Sequence, residues 1–233
     1  MYKINILKTA QIECANSVLY KGGDFNTVTT IGCHCFLLQN GDEYYLVDTG
    51  IEDIDTVNKT KSSVDDWKRG EGEFSVKENL DKLGVDCDKI SKVFITHAHY
   101  DHISGEVHFK NAKFYMTAKE YEALFSEDNK FKDLLADVKA FLTNDNLVLF
   151  DEELDVDGIK LKRRGAHTEG SMSIEVENTM FVGDTVYLQD NLVKKIPTGF
   201  VLQKKSGLIL SASLVWNTVF AVTSMPATEN FLP

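Results

Sequence analysis

The sequence predicts a mixed α/β fold in which helices cover the outside of β-sheets, and three observations carry that reading. Short β-rich runs at either end of the chain flank a middle section with helical spacing. Two of the early runs are joined by Asn40-Gly41, a preferred tight-turn dipeptide. The apolar run Val93-Phe94-Ile95 reads as a buried strand that opens into the polar stretch Thr96-His97-Ala98-His99-Tyr100-Asp101-His102. No repeat, low-complexity tract or clean linker interrupts the chain, so the expectation is one domain over residues 1–233.

Residues 3–8 and 11–20 read as early strands, the second with weak alternation. A hairpin follows, from Cys33–Leu38 to Glu43–Val47, and hands over to a loop at Asp48-Thr49-Gly50. The segment from Glu52 to Gly72 is polar and long for a compact domain, which suits a mobile loop or a lid. Trp67 within it either walls a pocket or pins the loop. Helical spacing over 76–83 stops at Gly84. Strands are predicted at 92–96 and 112–116. Thr117 with Glu120 three residues on is a capping-box pattern that opens a helix to Phe125. Apolar residues at 131, 134, 135, 138, 141 and 142 predict an amphipathic helix. Short strands are expected at 146–150, 159–163, 172–177 and 179–182.

Composition narrows the function classes. A formal charge of −11 argues against a nucleic acid held through its phosphates. The N-terminal residues hold no long apolar stretch of the secretory kind, so a cytoplasmic location is expected. The four cysteines show no disulfide spacing, and Cys33-His34-Cys35 reads as strand packing because it lies in an apolar alternation without a second ligand pair. From Ser206 to Thr228 no residue is charged, a length that can span a bilayer. Its Ser, Thr and Asn residues and Pro226 instead favour a helix at about 207–217 and a strand at about 218–224, so no membrane partner is expected. This atypical region, 206–233, suits a core element or a homodimer face.

The chemistry concentrates after the central strand. Three histidines and an aspartate within six residues can serve two points about 3.5–4 Å apart, the separation of two-metal sites. Imidazole and carboxylate suit zinc, with iron or manganese as alternatives. His167, in the Gly-flanked Arg164–Gly170 loop, and Asp184, at the end of an apolar strand, are each ambiguous alone. Beside the cluster they become ligand candidates, because a metal needs donors delivered by several loops.

The order HxHxDH, then a Gly-flanked histidine, then Gly183-Asp184, resembles the metallo-β-lactamase-fold superfamily, as does the Asp48-Thr49-Gly50 turn. The likeness runs from about Gly32 to Tyr187. It implies a four-layer αβ/βα sandwich, two mixed sheets with helices outside and metals at one sheet edge. It further implies that His97, His99 and His167 hold one metal, Asp101 and His102 a second, and that Asp184 bridges both. Within the superfamily the chain is most similar to acyl-homoserine-lactone lactonases, whose tyrosine three residues after the aspartate contacts the substrate carbonyl. Tyr187 stands at that offset; a packed strand-end aromatic is its plainer reading. The expected activity is opening of a lactone or related ester, a small-molecule substrate, by a metal-bound hydroxide, with Asp101 orienting the nucleophile or taking its proton and Tyr187 donating to the developing oxyanion.

One feature departs from the pattern. The family's last histidine ligand lies near the C-terminus, and no histidine follows His167 here. Met225 or Thr228 stands near that place, with Glu229 a further oxygen donor, and an altered C-terminus from a shifted reading frame is one explanation. The competing expectations are a thioester- or phosphodiester-cleaving hydrolase of the same fold, and a non-catalytic relative whose second metal site has decayed.

Overall fold

The computed structural model describes residues 1–60, 66–143 and 145–200, and the backbone of 218–220. Two sheets form within it. The first has six strands in sequence order: β1 (Lys3–Ala15), β2 (Val28–Asn40), β3 (Glu43–Val47), β4 (Ile90–Phe94), β5 (Lys113–Thr117) and β6 (Leu147–Phe150). Pairing is antiparallel from β1 to β3 and parallel from β3 to β6. The second sheet runs β11-β10-β9-β8-β7, with β7 (Glu153–Val156), β8 (Ile159–Arg163), β9 (Met172–Val176), β10 (Thr179–Phe181) and β11 (Thr218–Phe220). It is antiparallel except for the β10–β11 pair, so both sheets are mixed.

Burial explains why these runs are strands. From Ile31 to Leu38 every residue of β2 is buried, because each of its faces meets a core. Cys35 and Leu37 face the helix side, with Leu46, Val93 and Phe114. Phe36 and Leu38 face the second sheet, with Phe94, Ile174 and Phe181. The Phe36 and Phe181 rings lie 4.8 Å apart across that inter-sheet layer. Helix α3 (Val76–Leu83) buries Val76 and Leu80 on the outer face, while α5 (Ala118–Phe125) and α6 (Ala136–Phe141) bury Leu124 and Val138 there. Ser75 and Glu78 form a reciprocal cap on α3, and Gly84 closes it in the left-handed region.

Several expectations shift. The two early strands are one, interrupted by a register break between Lys8 and Ala10, and residues 16–19 form a one-turn helix, α1 (Asn16–Leu19). In the β2–β3 hairpin Asn40 pairs with Glu43, so the turn is Gly41-Asp42, one residue beyond the expected dipeptide. The 52–72 segment contains α2 (Ile54–Thr60). Trp67 pins it: the indole is buried and donates to the Tyr100 hydroxyl at 2.9 Å, and the Asn58 side chain bonds the Trp67 backbone on both sides. The helix expected from 131 begins only at 136, because Asn129 Oδ1 accepts the Phe131 N–H and turns the chain there. Strand β7, not among the expected strands, is four residues long and half acidic, which weakens its signal despite the alternation; its hairpin turn, Asp157-Gly158, has positive φ at both positions. The strand expected at 218–224 is present over 218–220, and the helix expected at 207–217 lies outside the described residues, as do Met225, Thr228 and Glu229.

Glu106, in the turn after the histidine cluster, is fully buried, and among the described residues neither carboxylate oxygen has a hydrogen-bond partner. Burial pushes its carboxyl well above the ordinary glutamate range, and the nearby Asp48 charge adds to this. The folded state therefore keeps a proton that the unfolded chain releases, so Glu106 contributes most stability below about pH 4.5 and loses it as the pH rises. Glu106→Leu should flatten the fall of the melting temperature between pH 5 and 9. It should also raise Tm at pH 8 by roughly 2–4 °C for each kcal/mol recovered. A variant that melts no higher at pH 8, with the same pH slope as the parent, would contradict this.

Candidate metal centre

The site lies where β3 and β4 end, at the carboxyl edge of the parallel part of the first sheet, a usual place for ligands in such sheets. Asp48 leaves β3 with φ of 57° and is fully buried. Its Oδ1 accepts the Thr96 N–H at 2.7 Å, and its Oδ2 accepts the Thr96 hydroxyl at 2.6 Å. The same Oδ2 lies 2.9 Å from His102 Nδ1. One carboxylate thus fixes the start of the histidine loop and the orientation of its last imidazole, leaving Nε2 of His102 facing the cavity.

A short helix, α4 (Tyr100–Ile103), folds the loop back and buries Asp101 and His102 close to His97. His97 Nε2 lies 3.0 Å from His99 Nδ1, and His167 Nε2 lies 3.1 Å from the same atom. Nitrogens bound at about 2.05 Å around a tetrahedral zinc would stand about 3.3 Å apart, so this spacing matches a ligand set. The Asp184 carboxylate completes the picture with both oxygens. Oδ2 is 3.9 Å from His97 Nε2 and 3.6 Å from His167 Nε2, while Oδ1 is 3.2 Å from His102 Nε2. Asp101 Oδ2 lies 3.6 Å from His102 Nε2. Two donor groups able to hold a metal ion result, His97-His99-His167-Asp184 and Asp101-His102-Asp184. Asp184 can approach this closely because Gly183 precedes it: a Cβ there would stand 2.7 Å from Thr96 Oγ1, and φ is +53°.

The electrostatics fit a cation. Burial, then repulsion among the neighbouring imidazoles, keeps His97 and His99 well below their usual pKa, and burial lowers His167 too, so all three are neutral with lone pairs available. At His102 burial opposes charging, but Asp101, Asp184 and Asp48 outweigh it and raise the pKa well above the usual value. Burial lifts the Asp101 carboxyl to about 6; His102 opposes the rise, and the Asp184 charge adds to it. Three buried carboxylates around one imidazole call for positive charge at this point.

All six residues expected as ligands converge, and Tyr187 joins them. Its ring is buried, its centroid 6.3 Å from that of His167, and its hydroxyl bonds Asp184. Cys33 Sγ donates to the Asp101 carbonyl at 2.9 Å from its strand, and among the described residues neither His34 nor Cys35 joins a donor group. Sequence reasoning did not assign Asp48, Thr96 or Glu120 to the site. The first had a signal in the Asp48-Thr49-Gly50 turn; the other two had none. The aromatic ring of Phe131 lies 5.5 Å from that of His99 and 5.2 Å from that of Tyr100, and the Phe200 ring lies 5.7 Å from that of His167.

Known proteins resemble this chain in sequence and in fold. A probable metallo-hydrolase of Methanocaldococcus jannaschii is 32% identical over 131 residues, covering 56% of this chain and 54% of that protein. The chain therefore spans about half the length of that relative. An N-acyl homoserine lactonase of Bacillus thuringiensis is 23% identical over 175 residues, covering 70% of this chain and 67% of the lactonase. Among solved structures, an N-acyl homoserine lactone hydrolase with the product N-hexanoyl-L-homoserine at its catalytic metal centre superposes with a TM-score of 0.74 at 19% identity, covering 88% of this chain and 84% of that one. A dizinc quorum-quenching lactonase gives 0.57 at 18% identity over 80% of this chain and 72% of its own. No described helix is long and apolar enough to cross a membrane. The family model of the metallo-beta-lactamase superfamily matches residues 28–211, most of the chain, and the protein belongs to that superfamily.

Proposed function

We propose that this protein is a metal-dependent hydrolase that opens a lactone or related ester, and that it works with two metal ions. The observation that carries the reading is the Asp184 carboxylate, whose two oxygens face the two donor groups. His97, His99, His167 and Asp184 would hold one ion, and Asp101, His102 and Asp184 the other. Zinc suits this set of imidazoles and carboxylates, with iron or manganese as alternatives. When bound, the metals supply Lewis acidity and a nucleophile available at neutral pH.

The chain's own residues do the rest. Asp101, a member of the second group, orients the nucleophile and carries a proton toward the leaving alkoxide. Tyr187 turns its hydroxyl from Asp184 to the carbonyl oxygen as charge develops there. Phe131 packs on His99 and Tyr100, and Phe200 on His167, so aromatic rings border the donor groups and suit an apolar acyl group. The lactonases among the relatives support the choice of substrate class.

The test is hydrolysis by zinc-loaded protein across lactones, thioesters and phosphodiesters. Lactones should be cleaved with the highest kcat/KM, and a thioester or phosphodiester cleaved at least as well would redirect the assignment. Tyr187→Phe should lower kcat by about 10²–10³ with little change in KM, as loss of an oxyanion donor does. Unchanged turnover in that variant would remove Tyr187 from the mechanism and leave the metal ligands untouched.

A further inference from the structure

The reciprocal cap expected at the start of α5 is only half made, and the missing half points to a role in the site. Thr117 Oγ1 accepts the Glu120 N–H at 3.2 Å, as a cap should. The Glu120 carboxylate does not return to Thr117. It is buried, with 2% of its surface exposed, and both oxygens are used elsewhere. Oε1 accepts the Ala98 N–H at 2.8 Å, and Oε2 accepts the Thr168 hydroxyl at 2.5 Å. Ala98 lies between His97 and His99, and Thr168 follows His167. One carboxylate therefore ties together the two loops that carry the three converging imidazoles.

The surroundings hold that tie in place. The Thr117 hydroxyl donates to the Gly170 carbonyl at 2.7 Å, and Ser171 Oγ accepts the Thr168 N–H at 2.8 Å. A Cβ at Gly170 would stand 2.2 Å from the Glu120 nitrogen, so the His167 loop is pressed onto the first turn of α5. Burying a carboxylate is costly unless its oxygens are hydrogen-bonded, and here the two bonds go to the backbone and side chain that flank ligands rather than to the helix.

We propose that Glu120 is a positioning residue of the metal centre, a clamp that sets the separation of the His97-His99 loop from the His167 loop. The inference rests on the metal-binding reading above. Partners that orient ligands typically change metal affinity 10–100-fold when removed. Glu120→Ala should weaken zinc binding by about that factor, read by competition with a chromogenic chelator. Glu120→Gln should stay within a few-fold, since its amide oxygen still accepts from Ala98 and the Thr168 hydroxyl can accept from the amide. Thr168→Val, which cuts one arm, should weaken zinc binding in the parent but add nothing in the Glu120→Ala background.

A purely structural role would lower the melting temperature of the metal-free protein without this pattern in affinity. Wild-type protein that binds zinc while Glu120→Ala and Thr168→Val bind it equally well overturns the inference alone. Wild-type protein that takes up no zinc overturns the metal reading and the inference with it. Should Glu120→Ala fail to fold, Thr168→Val and Glu120→Gln decide: weakened binding in the first and retained binding in the second support the clamp, and unchanged binding in the first refutes it.

Discussion

An Asp184→Ala variant is expected to lose metal from both donor groups and more than about 100-fold in kcat/KM. The lower bound follows from the 10–100-fold cost of removing partners that merely orient ligands; a shared ligand should exceed it. Oδ2 of Asp184 faces His97 and His167, and Oδ1 faces His102. Removing the carboxylate takes one donor from each group and one of the negative charges that draw a cation to His102. Elemental analysis and steady-state kinetics on the same preparation check both halves. Asp184→Ala protein that stays fully loaded and active would mean the carboxylate is not shared between metals.

The second large effect is on stability. Asp48→Ala should destabilise the metal-free protein by roughly 3–5 kcal/mol, the usual cost of breaking a buried charged pair from one side. For a chain of this size that corresponds to a fall in Tm of roughly 6–20 °C. Asp48 and the His102 imidazole are both fully buried, and the same carboxylate holds the Thr96 N–H and hydroxyl. Alanine leaves all three donors without their acceptor. It also places a residue with no local hydrogen-bonding side chain at φ of 57°. Thermal melts without metal separate this from metal loss, and a shift of only a degree or two would show that Asp48 does not anchor the loop.

The residues differ in how far sequence alone could assign them. The strand-then-loop step at Val93 to His102 was legible because an apolar run and a dense set of metal-binding side chains are both local signals. His167 and Asp184 carry no such signal, since one is a lone histidine in a loop flanked by Gly165 and Gly170 and the other a lone aspartate after Gly183; the order of motifs identified them. Glu120 was read as a cap because its spacing from Thr117 fits one. Its partners, 22 and 48 residues away, are invisible to local pattern. The helix starts later than 131 although the periodicity is helical, because Asn129 bonds the Phe131 N–H and Phe131 packs on the distant His99 and Tyr100. Strand β7 alternates as a strand should, but it is only four residues long, and half of it is acidic and exposed at a sheet edge, so its local signal is weak. The sandwich itself was legible only through the resemblance, because strand runs do not say which sheet they join.

The most direct test of the two-metal account is metal per chain, by elemental analysis of wild-type protein purified without added metal and again after zinc is supplied. The account predicts about two equivalents, one for each donor group that shares Asp184. One equivalent that never rises would confine metal to a single group and contradict the shared carboxylate. No uptake, with zinc supplied, would contradict the metal centre itself.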